Sequence, residues 1–225
     1  MAGVPAVTPP TPLVHPAMSS PFRLIVGMSG ASGQLYGIRL LQILRAVPDV
    51  ETHLVMSPAA RQTIQLETEW DPADVDALAD RTYRFGDIAA SVSSGSFKIN
   101  AMIVVPCSMG TLSGIALSSS DNLIERAADV TLKERRRLVI VARETPLHLG
   151  HLRLMVQVTE LGAIIFPPSP AFYTQPKSLD ELVDHTVNRL LDTLGIELPT
   201  RIAPIWEGPG ERRKGSRGAA GDEPA

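Results

Sequence analysis

Continuous apolar runs alternate with helically spaced ones along most of this chain. RLIVGMS (23–29) is a short apolar run that leads into glycine, and QLYGIRLLQILRAV (34–47) places Leu35, Ile38, Leu41 and Leu44 at helical spacing. THLVMS (52–57) reads as a second strand, and Pro58 stands at the first position of a following helix. AMIVVPCS (101–108) is a third strand, followed by helical stretches through Glu134. RLVIVAR (137–143) is a fourth, HLRLMVQVTELG (151–162) a helix that Gly162 can end, and AIIFPP (163–168) a fifth strand. SLDELVDHTVNRLLDTLG (178–195) is the last helix, with Ser178 and Glu181 spaced as a capping box. Residues 68–100 depart from the alternation and read as an irregular insertion. Short apolar strands separated by helices imply a parallel sheet covered on both faces. The expected fold is therefore α/β: a single-domain, doubly wound, Rossmann-like (flavodoxin-like) parallel sheet.

The ends of the chain lack this pattern. Residues 1–20 are Pro-rich, without a basic stretch followed by an apolar one, and read as a disordered tail rather than a secretory signal. Residues 208–225, rich in Gly and charge, read as a second disordered tail, leaving 21–207 as the folded domain. Of the 225 residues, 21 are Lys or Arg and 24 are Asp or Glu, a balance of −3 that argues against a nucleic-acid partner. The longest apolar runs fall far short of the roughly 20 residues that span a bilayer. No membrane association is expected, and the cytoplasm is the default location. A single cysteine excludes an internal disulfide and a multi-cysteine metal cluster.

In an open parallel sheet, ligands bind beyond the carboxyl ends of the strands. Here those ends carry GASG (30–33), Ser57, PCSMGT (106–111), RET (143–145) and PPSPAFY (167–173), all polar or rich in Gly and Pro. The first loop leads straight into a helix N-terminus, whose unpaired amides favour an anion. Its glycine spacing matches neither the dinucleotide fingerprint nor the P-loop. A nicotinamide dinucleotide site usually has an acidic residue after the second strand, and Ser57 stands there instead. Ser57 suits a phosphate oxygen or a flavin edge, or simply caps the next helix. Ser108 and Thr111 offer a second polar cradle, while Cys107 reads as buried and inert. Lys133, Arg143 and Arg189 are cations that approach the ligand edge if the sheet is wound this way. His148 and His151 lack a third metal ligand, so no metal site is expected.

MSGASGQLYGIRLL, SSGSF, PCSMGTLSGIA, KERRRLVIVARETPLHLGHL and GAIIFPPSPAFYTQP closely resemble the UbiX family of flavin prenyltransferases, and the likeness runs from about Arg23 to Ile196. The resemblance implies a homododecamer with active sites at subunit interfaces. It implies reduced FMN as substrate, a dimethylallyl group taken from dimethylallyl monophosphate onto flavin N5 and C6, and no metal. The product, prenylated FMN, would pass to a UbiD-type decarboxylase. By position, Gly30, Ala31, Ser32, Ser57, Ser108, Met109, Gly110, Thr111 and Arg143 correspond to FMN-binding residues. Lys133, Tyr173 and Arg189 correspond to groups that hold the prenyl phosphate, and Lys133 and Tyr173 also to catalytic groups. Glu67 and Glu144 correspond to acidic residues implicated in catalysis, and Arg126 lies in a matching segment. Ile88 stands near where some relatives carry a tryptophan, and Ile205–Trp206 where many end in Arg-Trp. Two other readings are an FMN-dependent cysteine decarboxylase of the same fold and a non-catalytic FMN-binding decarboxylase subunit.

Overall fold

Alternate residues of the first strand, β1 (Phe22–Met28), serve two separate cores. β2 (Val50–Met56), β4 (Ala101–Cys107) and β5 (Arg137–Ala142) run parallel to it, with the short β3 (Arg81–Tyr83) and β6 (Ile164–Ile165) at the edges. The order across the sheet is β3-β2-β1-β4-β5-β6. Successive strand side chains point to opposite faces. Leu24, Val26 and Met28 join Leu54, Ile103 and Val139 under α1 (Gln34–Leu44), α2 (Pro58–Glu67), α3 (Pro72–Asp76) and α7 (Leu179–Leu194). Ile25 joins Val55, Met102 and Ile140 under α4 (Met109–Ala116), α5 (Leu123–Lys133) and α6 (Leu149–Glu160). Burial on both faces is why the strands read as unbroken apolar runs.

This computed structural model describes residues 20–204. Apart from Ser20, the tails expected at 1–20 and 208–225 lie outside the described residues, as does Trp206. No helix among the described residues is long and apolar enough to cross a membrane.

The sheet has six strands where five were expected. The segment 68–100 is not wholly irregular: it holds α3, the 3₁₀ turn Ser91–Ser93 and β3. Asp80 fixes β3 to β2 by accepting from the Thr52 N–H at 2.7 Å and the Thr52 hydroxyl at 2.9 Å. A three-residue strand is too short to show a period of two. Without β3, the strands follow the flavodoxin order; with it they follow the dinucleotide-fold order, and both have their switch point between β1 and β4. α1 ends at Leu44 rather than Val47: the Ala46 and Val47 amides turn to the Ile43 and Leu44 carbonyls three residues back, and Pro48 has no N–H to continue the helical ladder. β6 is two residues long because Pro167 and Pro168 have no N–H to extend the ladder.

Candidate functional site

The loops at the carboxyl ends of the strands are joined to one another by hydrogen bonds. Ser29, at the end of β1, donates from its amide and its hydroxyl to the Pro106 carbonyl at 3.1 and 3.2 Å. The same hydroxyl accepts from the Ser108 N–H at 2.8 Å. The Ser57 N–H donates to the Met28 carbonyl at 2.9 Å, and the Arg143 N–H to the Cys107 carbonyl at 3.1 Å. The Arg143 Nε crosses to the Ser32 carbonyl at 3.2 Å. Glu67, the last residue of α2, accepts from the Gly33 N–H at 2.9 Å. One continuous rim therefore holds Gly30, Ala31, Ser32, Ser57, Ser108, Arg143 and Glu67. Met109, Gly110 and Thr111 form the first turn of α4 beside it.

Capping sorts the hydroxyls on this rim. Ser57 accepts from the Ala60 N–H at 3.0 Å and so caps α2, with Pro58 at the first helical position. Ser108 caps α4 through the Thr111 N–H and also donates to the Thr111 hydroxyl at 3.2 Å. α1 differs: its N-cap is Gly33, in a left-handed conformation and with no side-chain cap. Its first turn therefore offers backbone donors at the switch point. Gln34, fully buried, donates to the Ser29 and Ala31 carbonyls at 2.8 Å each, which leaves its Oε1 without a partner. An uncapped helix start, a buried acceptor and flanking hydroxyls suit a phosphorylated, hydroxyl-bearing ligand such as FMN. Sequence reading missed Ser29 and Gln34. Their signal was polar side chains on either side of the glycine loop.

Tyr173 and Arg189 lie elsewhere, together. They line a cavity of about 300 Å³ with His185, Asn188, Asp192, Arg201 and Pro204. The Tyr173 hydroxyl is 3.0 Å from the His185 Nε2. Asp192 accepts from Arg189 at 3.3 Å and from Arg201 at 3.0 Å. His185 stands four residues before Arg189 on α7, a same-face spacing that could have found it.

Lys133 is in a third place. It ends α5, where it pairs with Glu134 and lies against Gly95, at which a Cβ would come within 2.8 Å of the amine. Arg143 and Glu144 follow β5, whereas Lys133 precedes it. The six residues of β5, roughly 20 Å of strand, lie between them. One protomer thus unites the flavin-type loops with Glu67, and separately Tyr173 with Arg189, but does not bring Lys133 to either. Glu144, exposed beyond β5, accepts from the Thr145 N–H at 2.9 Å. Arg126 pairs with Asp129 at 3.0 Å, and Ile88 is exposed.

Cys107 is fully buried, and burial pushes its thiol well above the ordinary range, so it offers no thiolate. His148 caps α6 through its Nδ1, accepting from the Gly150 N–H at 3.0 Å, with the His151 ring packed 3.6 Å away.

The flavoprotein family pattern matches residues 13–191. The flavin prenyltransferase UbiX of Escherichia coli K12 is 61% identical over 186 residues, covering 83% of this chain and 98% of that protein. The UbiX of Thauera aromatica is 50% identical over 190 residues, covering 84% of this chain and 96% of that protein. Among solved structures, AnUbiX (PadA1) in complex with FMN and dimethylallyl pyrophosphate superposes with a TM-score of 0.81. It is 52% identical, covering 84% of this chain and 98% of that one. A dodecameric FMN-dependent Ubix-like decarboxylase from Escherichia coli O157:H7 superposes equally well, at 51% identity, covering 83% of this chain and all of that one. An FMN-dependent cysteine decarboxylase, SpaF, at 19% identity and a TM-score of 0.52, shares the fold alone.

Proposed function

Because this chain belongs to the flavoprotein family and, within it, to the UbiX flavin prenyltransferases, we propose that it transfers a dimethylallyl group from dimethylallyl monophosphate to reduced FMN, and that the prenylated FMN passes to a UbiD-type decarboxylase. The observation that carries this reading is the presence of two separate anion-suited places. One is the uncapped start of α1 on the rim. The other is the cavity shared by Tyr173 and Arg189. A protein that only carried flavin would need the first and not the second.

Reduced FMN supplies two nucleophilic ring positions, N5 and C6, to take the dimethylallyl group. Gly30, Ala31, Ser32, Ser57 and Ser108 through Thr111 would hold it, with Arg143 at its edge. Tyr173, Arg189 and Lys133 hold the prenyl phosphate. As the carbon–oxygen bond to phosphate breaks, charge gathers on the departing oxygens. Cations aimed there stabilise that state more than the ground state. Closing the second bond at C6 consumes the dimethylallyl double bond, whose other carbon takes up a proton while C6 loses one; Glu67 and Glu144, the carboxylates beside the rim, are suited to supply and accept these protons.

Lys133 reaches such a site only from another protomer, so the reading includes a homo-oligomer, the homododecamer implied by the family. α6 supports this: Leu149, Leu152 and Val156, spaced by three and four residues, are 60%, 46% and 57% exposed. Such a stripe on one helix face is the usual mark of a packed helical interface.

The test is single-turnover transfer with release of inorganic phosphate. Arg189→Ala should slow transfer or weaken prenyl phosphate binding about ten- to a hundredfold, the loss of one charge-assisted bond, with FMN affinity unchanged. Loss of FMN binding in Arg189→Ala, with transfer at saturating flavin intact, would show that the two anion places have been interchanged.

A further inference from the structure

α5 ends in a turn that fixes more than Lys133. The Arg135 N–H donates to the Leu132 carbonyl and the Arg136 N–H to the Thr131 carbonyl, each at 2.9 Å, and Arg135 is left-handed at φ 56°. This is a Schellman ending. It reverses the chain after Glu134 and brings the Arg136 side chain against the segment before β4. There its Nη1 donates to the Phe97 carbonyl at 3.1 Å and its Nη2 to the Gly95 carbonyl at 2.8 Å, with only 15% of the side chain exposed. The same Nη2 lies 3.9 Å from the Glu134 carboxylate, and Glu134 in turn pairs with the Lys133 ammonium. Both members of that pair lie over Gly95: a Cβ there would come within 2.8 Å of the amine and would also meet the carboxylate.

We propose that Arg136 is a positioning residue for Lys133: by anchoring the turn at 95–97 and the carboxylate on which the ammonium rests, it presents Lys133 at a fixed point to the prenyl phosphate of another protomer. This rests on the reading that Lys133 serves that phosphate.

Charge and geometry both require the arginine. The Lys133 ammonium, more than Arg136, holds the Glu134 carboxyl below the usual carboxylate range, so the pair is ionised. A lysine and a glutamate alone carry no net charge and attract a phosphate little. Arg136 restores one positive charge to the cluster. An exposed lysine–glutamate pair is also loosely held, because both side chains lose rotamer freedom for a contact that water screens. A planar fork bound to two carbonyls is a rigid attachment that a single ammonium cannot copy. Arg136 commits both terminal nitrogens to carbonyls of its own chain and so acts through Lys133. Gly95 completes the seat, since any side chain there would occupy the place of the amine.

The experiment uses the assembled full chain at saturating reduced FMN and measures kcat and KM for dimethylallyl monophosphate. The variants are Lys133→Ala, Arg136→Gln, Arg136→Lys and Gly95→Ala, with each of the last three also combined with Lys133→Ala. Lys133→Ala should lower kcat/KM about ten- to a hundredfold, the loss of one charge-assisted bond. Arg136→Gln, uncharged and too short to span both carbonyls, should lower it about tenfold, with FMN affinity and assembly mass unchanged. Arg136→Lys, which keeps the charge without the fork, should fall between Arg136→Gln and the wild type. Gly95→Ala should match Arg136→Gln, because its methyl displaces two side-chain ends and no backbone. Groups that act through one another are not additive. On the Lys133→Ala background none of the three should lower kcat/KM further, whereas a role in folding alone would cost the same factor on both backgrounds. If Arg136→Gln does not fold, Arg136→Lys makes the same comparison. Equal costs with and without Lys133, or an unchanged kcat/KM in Arg136→Gln or in Gly95→Ala, would overturn the role of Arg136 and leave the reading of Lys133 standing. If Lys133→Ala transfers as the wild type does, the placement of Lys133 at the prenyl phosphate fails, and this role with it.

Discussion

At Gly30 the first loop meets the start of α2: a Cβ added there would lie 2.4 Å from the Cβ of Ala59. Both atoms are fixed to backbone, so neither can swing away. Gly30→Ala should destabilise the protein by about 1–3 kcal/mol, measured by denaturant unfolding, and weaken FMN binding with it, because the rim must shift. Unchanged values for both would remove this contact from the account. His53 makes a different case. It is fully buried between Tyr83 and Phe97, with its Nδ1 2.9 Å from the Tyr83 hydroxyl. Burial, the largest influence, lowers its pKa, so the folded protein keeps the ring neutral where the unfolded chain protonates it. Stability should therefore fall as pH drops through the ordinary histidine value near about 6.5. His53→Gln should flatten part of that fall in a series of melting temperatures, and an identical slope would show that His53 does not contribute. At this scale the glycines and hydroxyls of the rim were legible, because they punctuate apolar runs at strand ends. The partners were not. Nothing in the spacing of Tyr173 and His185, twelve residues apart across a loop and a helix, announces a hydrogen bond.

Among the elements, the long strands were legible because burial on both faces removes polar residues from them. β3 was not, because its stability comes from Asp80 reaching Thr52 and not from its own composition. The Ser178 cap shows how local signals can be right in kind and different in detail. Ser178 accepts from the Glu181 N–H at 3.2 Å as a capping box requires, but the Glu181 carboxylate accepts from the Lys177 N–H at 2.7 Å instead of that of Ser178. α6 carries a test at this scale. Its inner face is tied to α4 by Gln157, which donates to the Ala116 carbonyl at 2.7 Å, while Leu152 and Val156 face outward. Leu152→Glu should leave the melting temperature of the separated chains within a few degrees and reduce the assembly to smaller species in light scattering. An undisturbed assembly would place the interface on another face.

At the scale of the whole molecule, the proposed reaction draws on groups that no single protomer brings together. The flavin-type rim, the Tyr173–Arg189 cavity and Lys133 occupy three regions of one chain, and topology explains the last: α5 ends just before β5 begins, at the amino-terminal ends of the strands, opposite the rim at their carboxyl ends. This was readable from the order of elements, whereas which protomer supplies which group was not, because interfaces are not encoded in short-range spacing. Co-expressed Lys133→Ala and Arg189→Ala chains should form mixed assemblies in which some sites are intact, with activity well above that of either variant by itself. The absence of complementation would confine each site to one chain. The most direct measurement of the central claim is the mass of the flavin itself. After incubation with reduced FMN and dimethylallyl monophosphate, extracted flavin should be heavier by one five-carbon prenyl unit, with one inorganic phosphate released per flavin modified. FMN recovered at its original mass, with the prenyl phosphate intact, would contradict the assignment of this chain as a flavin prenyltransferase.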